Sequence, residues 1–254
     1  MTRKFPILQF DPAREAVIEP SKETTAVDAP EHCVFCFHRD VVEEVSLRHG
    51  ARVVAELDWE SACHRVFGIE VEGKQIAFLQ PGVGGPLSAG LLEACIALGC
   101  RKFIACGGAG VLDRNIPPAQ VIIPTEAVRD EGTSYHYVEP GRAVAPSPEA
   151  VEAIKTTLES HGISHIEGPT WTTDAPYRET HAKVRRRRSE GCITVEMEAA
   201  SLFAVAAFRN VVLGQLLYGG DDVSGEEWDK RGWKSRTGVR ERLFWLSCEA
   251  CLRL

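Results

Sequence analysis

From about residue 32 the chain alternates short apolar runs with amphipathic segments of helical length, and this constrains its fold more than any other feature. The pattern predicts strands at His32–Phe37, Arg52–Leu57, Arg65–Val71, Gln75–Gln80, Lys102–Cys106, Val121–Ala127, Ile193–Val195 and Val211–Leu217. It predicts helices at Asp40–His49, Leu87–Leu98, Pro148–His161, Arg178–Ser189, Glu198–Phe208 and Val239–Arg253. In the second helix, Leu87, Leu91, Leu92, Cys95, Ile96 and Leu98 form a core-facing stripe. The alternation reads as an α/β layer fold. Residues 1–30 are polar and broken by prolines, with one apolar patch at Phe5 to Phe10, and read as an N-terminal arm laid on a surface. Residues 31–254 then form one domain, a length that can bury a single large core.

Bulk chemistry excludes some functions. Lys and Arg number 29 against 36 Asp and Glu, a net charge of −7, so the basic face of a nucleic-acid binder is not expected. A small anionic ligand stays open, since a few arginines in a cleft suffice. Without a run of 18 apolar residues or a signal-like N-terminus, the chain reads as cytoplasmic, with neither membrane nor nucleic acid as partner. The nine cysteines read as reduced core thiols. Cys33 and Cys36 would point to opposite faces of a strand, and Cys248 and Cys251 sit on an apolar helix, so neither pair reads as a metal site. The run Arg185–Arg188 reads as a solvated helix face.

Four motifs carry chemistry. Gln80-Pro-Gly-Val-Gly-Gly-Pro86 follows a strand and opens a helix, where glycines let backbone approach a ligand. Cys106-Gly-Gly-Ala-Gly110 repeats the pattern and reads as a second Gly-rich turn at a strand end. Neither has the dinucleotide-binding spacing. Val195-Glu-Met-Glu-Ala-Ala200 sets two acids at a strand-to-helix junction, suited either to a vicinal diol or simply to the helix macrodipole. Gly219-Gly-Asp-Asp222 ends an apolar stretch with acids that suit either a general acid or a turn.

Taken together, Gly82-Val-Gly-Gly-Pro86, Gly107-Gly-Ala-Gly110, Arg129-Asp-Glu-Gly-Thr-Ser-Tyr-His136, Thr173-Asp-Ala-Pro-Tyr177 and Val195-Glu-Met-Glu-Ala199 resemble the nucleoside phosphorylase superfamily, which includes purine nucleoside phosphorylases, uridine phosphorylases and methylthioadenosine nucleosidases. The resemblance implies a single-domain three-layer α/β/α fold with a twisted mixed central β-sheet, assembled as a dimer, trimer or hexamer. It implies cleavage of the N-glycosidic bond of a nucleoside by inorganic phosphate, with no metal and no organic cofactor. By position, Glu196, Met197 and Glu198 would bind the ribose, with Glu198 catalytic. Asp221, 23 residues after Glu198, would be the acid that assists a purine base in leaving; the adjacent Asp222 stays open for that role. Tyr177 would stack on the base, one position after the family's aromatic. Phosphate would be held by Gly107, Gly108, Arg39 and Arg65, the last resembling an arginine that reaches a neighbouring subunit's site.

The phosphate site departs from the family. Ala105 and Gly108 stand where an Arg and a hydroxyl residue are usual, and Phe35-Cys-Phe-His-Arg39 replaces the Gly-Asp-Pro turn and its Arg. Water as nucleophile therefore stays open beside phosphate, as does a nucleoside-binding homologue without turnover.

Overall fold

Strand β1 (His32–Cys36) shows how the pattern becomes layers in the computed structural model, which describes residues 5–25 and 27–254. Met1–Lys4 and Ala26, parts of the expected arm, lie outside the described residues. Cys33 and Phe35 face one side of the sheet, where α3 (Gly85–Leu98) and α6 (Ala199–Arg209) pack. Val34 and Cys36 face the other, against α2 (Arg39–Arg48), α4 (Pro148–Ser160) and α7 (Thr237–Leu252). Period-two alternation between two helical layers is the three-layer α/β/α arrangement expected from the sequence. All nine cysteines are free, and eight are buried; Cys63 is exposed, unlike the core thiol expected of it.

The remaining strands are β2 (Arg52–Trp59), β3 (Ala62–Val71), β4 (Lys74–Leu79), β5 (Lys102–Val111), β6 (Val121–Asp130), β7 (Ala143–Val144), β8 (His165–Thr173), β9 (Thr194–Glu196) and β10 (Val212–Asp222). Parallel pairings join β4, β1, β5 and β10 in that order, and antiparallel β3 and β2 extend the sheet outward from β4. At the other end β5, β10, β6, β8 and β9 pair in a closed circuit. Ala109, Val111, Ile122 and Leu217 of this circuit share an apolar cluster with Ile116.

Three sequence expectations change. Gly107–Gly110 is not a turn: all four residues continue β5 and pair with β10 and β9. Gly219–Asp222 likewise stays within β10, with a register shift that marks a bulge. The third change is β8, which the sequence reading missed. Its Gly168-Pro169 imitates a turn, yet Gly168 pairs with Pro124 of β6 and Pro169 accepts from Ile193 at 2.9 Å. Helix α5 (His181–Ser189) begins later than Arg178, because Thr180 caps it by accepting from Lys183. Of its four arginines, Arg187 is packed against Trp171 and paired with Asp130 and Glu190, so this part of the expected solvated face is half-buried.

Among the described residues of the arm, the short helix α1 (Pro20–Glu23) lies on α3. Gly85 at the start of α3 has no room for a side chain: a methyl group there would collide with Ser201 Oγ, which is fixed by its bond to Glu131 at 2.8 Å. Gly85→Ala is expected to lower stability by about 1–3 kcal/mol, read as a shift of the urea midpoint without a change in slope.

Candidate functional site

A closed circuit of strands has an open end, and here the ends of β1, β5, β9 and β10 surround a cleft of about 300 Å3. A larger cavity, about 920 Å3, lies between the arm and the α3 side of the sheet and is lined by His136, but none of the residues expected to bind ribose, base or phosphate lines it. The smaller cleft gathers Glu196, Met197, Glu198 and Asp221. It sits at the carboxyl ends of parallel strands, where open α/β sheets bind ligands.

Glu196 and Glu198 both line it. Glu196 Oε1 accepts from Thr172 Oγ1 at 2.6 Å. Its Oε2 accepts from the amides of Glu198 and Ala199 at 2.7 and 2.6 Å. This carboxyl therefore closes the N-terminus of α6, the macrodipole role the sequence left open, and its oxygens are largely engaged. Glu198 is freer. Its Oε1 accepts from the Gly84 amide at 2.6 Å, and both carboxyls and Met197 line the cleft. Gly84 has φ 93°, a conformation glycine adopts without strain, and so turns its N–H towards the carboxyl.

Burial raises both acids, Glu196 to about 7 and Glu198 to about 8, where the neighbouring Glu196 adds to the rise. Three donors favour the ionised form of Glu196, leaving the proton on Glu198.

Asp221 also lines the cleft, on the β10 bulge. Its Oδ2 accepts from Trp228 Nε1 at 2.5 Å, and its Oδ1 would lie 3.6 Å from a methyl group on Gly110. Asp222 is committed elsewhere. Arg231 binds it at 2.7 Å and the Ser224 amide at 2.8 Å; against the upward push of burial, Ser224 and Arg231 hold it below its ordinary range. Of the two aspartates, Asp221 alone lines the cleft.

The other expected residues are not brought to the cleft. Tyr177 is 99% exposed and turned outward, because its short 3-10 turn presents Pro176 and Glu179 inward instead. Arg39 is exposed at the start of α2, beside Glu43 at 3.5 Å. Arg65 is exposed on β3 and bound to Glu56 of β2 at 3.0 Å. Gly107 and Gly108 do line the cleft, but as strand residues rather than a phosphate-cradling turn.

The sequence reading missed His38, Gln215 and Glu179. His38 Nε2 and Gln215 Oε1 are buried without a hydrogen-bond partner among the described residues, and both side chains line the cleft. Burial, then the nearby Arg240, lowers His38 to about 4, so it is neutral near pH 7. Both lie in apolar strand-end segments where nothing marks a polar side chain as pocket-facing. No Arg or Lys lines this cleft among the described residues.

A sequence model of the phosphorylase superfamily matches residues 40–237. The chain belongs to that superfamily. It is 25% identical to a guanosine phosphorylase of Halorubrum lacusprofundi over 162 residues, covering 64% of this chain and 67% of that protein. It is 31% identical to a uridine phosphorylase of Thermococcus kodakarensis over 163 residues, covering 58% and 59%. The chain thus spans about three fifths to two thirds of the length of the curated relatives it matches. Its fold matches purine nucleoside phosphorylase of Toxoplasma gondii in complex with immucillin-H, with a TM-score of 0.76, 20% identity and 89% and 92% coverage. It also matches AMP nucleosidase of Bacteroides thetaiotaomicron, with a TM-score of 0.70, 20% identity and 88% and 87% coverage.

The two raised glutamates make a prediction with a definite sign. A carboxyl whose folded value is raised favours folding fully only below its unfolded value, near 4.5, and that contribution is lost as pH rises through the folded values, about 7 and 8. The melting temperature should therefore fall between about pH 5 and about pH 9. Glu198→Gln should blunt that fall, leaving the variant relatively more stable at the alkaline end in calorimetry.

Proposed function

We propose that this protein cleaves the N-glycosidic bond of a purine nucleoside, with inorganic phosphate as co-substrate and free base and ribose 1-phosphate as products. The observation that carries this reading is the presence, in the lining of one cleft, of a buried glutamic acid beside Met197 and of an aspartate, Asp221. Glycosidic cleavage makes two demands. Positive charge develops on the ribose, and negative charge develops on the departing base. Glu198 meets the first: developing positive charge favours its ionised form, which binds the ribose hydroxyls. Met197 packs beside the sugar, and Glu196 fixes the strand-to-helix junction that presents both. Asp221 meets the second by donating a proton or hydrogen bond to the imidazole nitrogen of the base. Gly107 and Gly108 let the nucleophile approach along β5.

The phosphate itself needs cations, and the cleft lining lacks them. Arg65 is directed away from its own cleft and suits the site of a second copy, so phosphorolysis calls for a homo-oligomer. A strict monomer in sedimentation at micromolar concentration would remove Arg65 from the phosphate site. Reduced, mostly buried thiols fit the cytoplasm, where purine salvage takes place.

The acidic lining and the neutral His38 favour a second reading: hydrolysis, with water in place of phosphate. A screen of purine and pyrimidine nucleosides with and without phosphate, reading free base, separates the two. Phosphorolysis requires a phosphate-dependent rate, hydrolysis a phosphate-independent one, and a binding homologue releases no base. Glu198→Gln should cut the rate about a hundredfold or more with the fold intact by circular dichroism. Asp221→Asn should spare only substrates whose leaving group departs without protonation. Cleavage of ordinary purine nucleosides by Asp221→Asn at the parent rate would remove the acid assignment.

A further inference from the structure

No arginine or lysine among the described residues lines the cleft, yet a buried cation stands directly behind its wall. Arg240, near the start of α7, is held by Asp40 of α2 at 3.0 and 3.2 Å. Its Nε donates to the Tyr218 hydroxyl at 3.4 Å, and its guanidinium lies over the Trp233 ring, 5.5 Å from the ring centre. Tyr218 donates in turn to the Trp233 carbonyl at 3.3 Å. This fully buried tyrosine of β10 packs on Gly108 of β5: a methyl group on Gly108 would lie 3.1 Å from the ring and 3.3 Å from its hydroxyl. The His38 ring, at the end of β1, is 5.6 Å from the same ring. Three residues of the cleft lining, His38, Gly108 and Trp233, are thus tied to one Tyr218–Arg240 unit.

Asp40 does not cancel the charge of Arg240 towards the cleft. Its side chain is 43% exposed and screened by water, whereas the guanidinium is 10% exposed. Burial first, and Arg240 next, lower the His38 imidazole to about 4, so the field of the cation reaches the cleft wall. His38 Nε2 and Gln215 Oε1 are left without a partner among the described residues, in side chains that line the cleft. Buried polar groups in that condition cost free energy that a hydrogen-bonding ligand recovers. A neutral imidazole can donate to such a ligand without a charge of its own. A ligand that also brings negative charge gains from Arg240, because the Tyr218 and Trp233 rings between them exclude water.

We propose that His38, Tyr218 and Arg240 form an oxyanion-binding wall over Gly108, with the His38 imidazole as donor to the ligand and Arg240 the positioning residue that supplies positive charge through Tyr218. This rests on the reading of the cleft as a site of phosphorolysis and gives the phosphate a place in it. The charge that phosphate needs then comes from within the chain, in addition to the Arg65 that a second copy can bring.

Binding is read without turnover. Inorganic phosphate is titrated into the full-length protein and followed by calorimetry. His38→Phe and Arg240→Met should each weaken phosphate about tenfold or more, and Arg240→Lys should restore part of the loss. Asp40→Asn carries the opposite sign: it leaves Arg240 unopposed and should tighten phosphate about threefold or more. In steady state the same changes should appear in the KM for phosphate, with the KM for the nucleoside moving by about twofold or less. Loss of packing alone would weaken both substrates and would not make Asp40→Asn bind more tightly. If Arg240→Met does not fold, His38→Phe and Asp40→Asn decide the matter.

Phosphate binding unchanged in His38→Phe, or not tightened in Asp40→Asn, overturns the proposal. A parent protein that binds no phosphate does so too, even where it releases base at a phosphate-independent rate, which would retain nucleoside cleavage with water as nucleophile. The expected changes in phosphate binding in a protein that cleaves no nucleoside would uphold the oxyanion wall and remove phosphorolysis as its use.

Discussion

The site depends on one buried hydrogen-bond centre, the Glu196 carboxyl. A carboxylate taken out of water is costly unless its lone pairs are met, and here three short donors meet them: one hydroxyl from β8 and two amides from α6. Thr172 then accepts from the Ala200 amide at 3.0 Å, so two side chains satisfy three of the N–H groups that the start of α6 leaves open. Strand β8, strand β9 and helix α6 are fixed to one another by this centre. The direction of Glu198, two residues on, follows from it. Buried polar networks of this kind specify geometry more than they add stability.

Around this centre, small residues let the layers meet. Gly84 turns its amide to Glu198, Gly85 lets α3 approach α6, and Gly107 and Gly108 leave the floor of the cleft bare. The charge pattern completes the site. Four carboxyls line the cleft, and three have values raised by burial, so the lining carries fewer charges near neutrality than its composition implies. A neutral His38 at the end of β1 fits that balance.

Much of the fold was legible because burial on two faces leaves a periodic trace. The alternation in β1 predicted that Cys33 and Cys36 enter different helical layers, and the stripe of α3 predicted its buried Leu91, Leu92 and Cys95. Glycine and proline misled. In Gly107–Gly110 and Gly219–Gly220 they mark close approach between paired strands, and in Gly168-Pro169 they interrupt β8 without ending it. The acids at 196, 198 and 221 were legible from the motifs that contain them. The inward turn of Glu179 in place of Tyr177 was not, because which side of a short 3-10 turn faces a cleft depends on how the chain enters it, and no periodicity records that. Neither were the exposed, ion-paired settings of Arg39 and Arg65, since a basic residue looks the same in sequence whether it faces a ligand or a neighbouring glutamate.

The closed circuit of β5, β10, β6, β8 and β9 has a consequence for the passage of molecules in and out. Each of these strands is laddered on both sides, so the wall cannot part without breaking backbone hydrogen bonds in several places at once. Traffic must run past the connections at its rim, among them the β8–α5 turn bearing Pro176 and Glu179, the β10–α7 segment bearing Trp233 and the turn before α3 bearing Val83. These are held by side-chain bonds, short turns and one isolated backbone bridge, between Asp222 and Asp229, rather than by long ladders. The residence time of anything held in the cleft therefore depends on these short connections more than on the laddered strands that shape it.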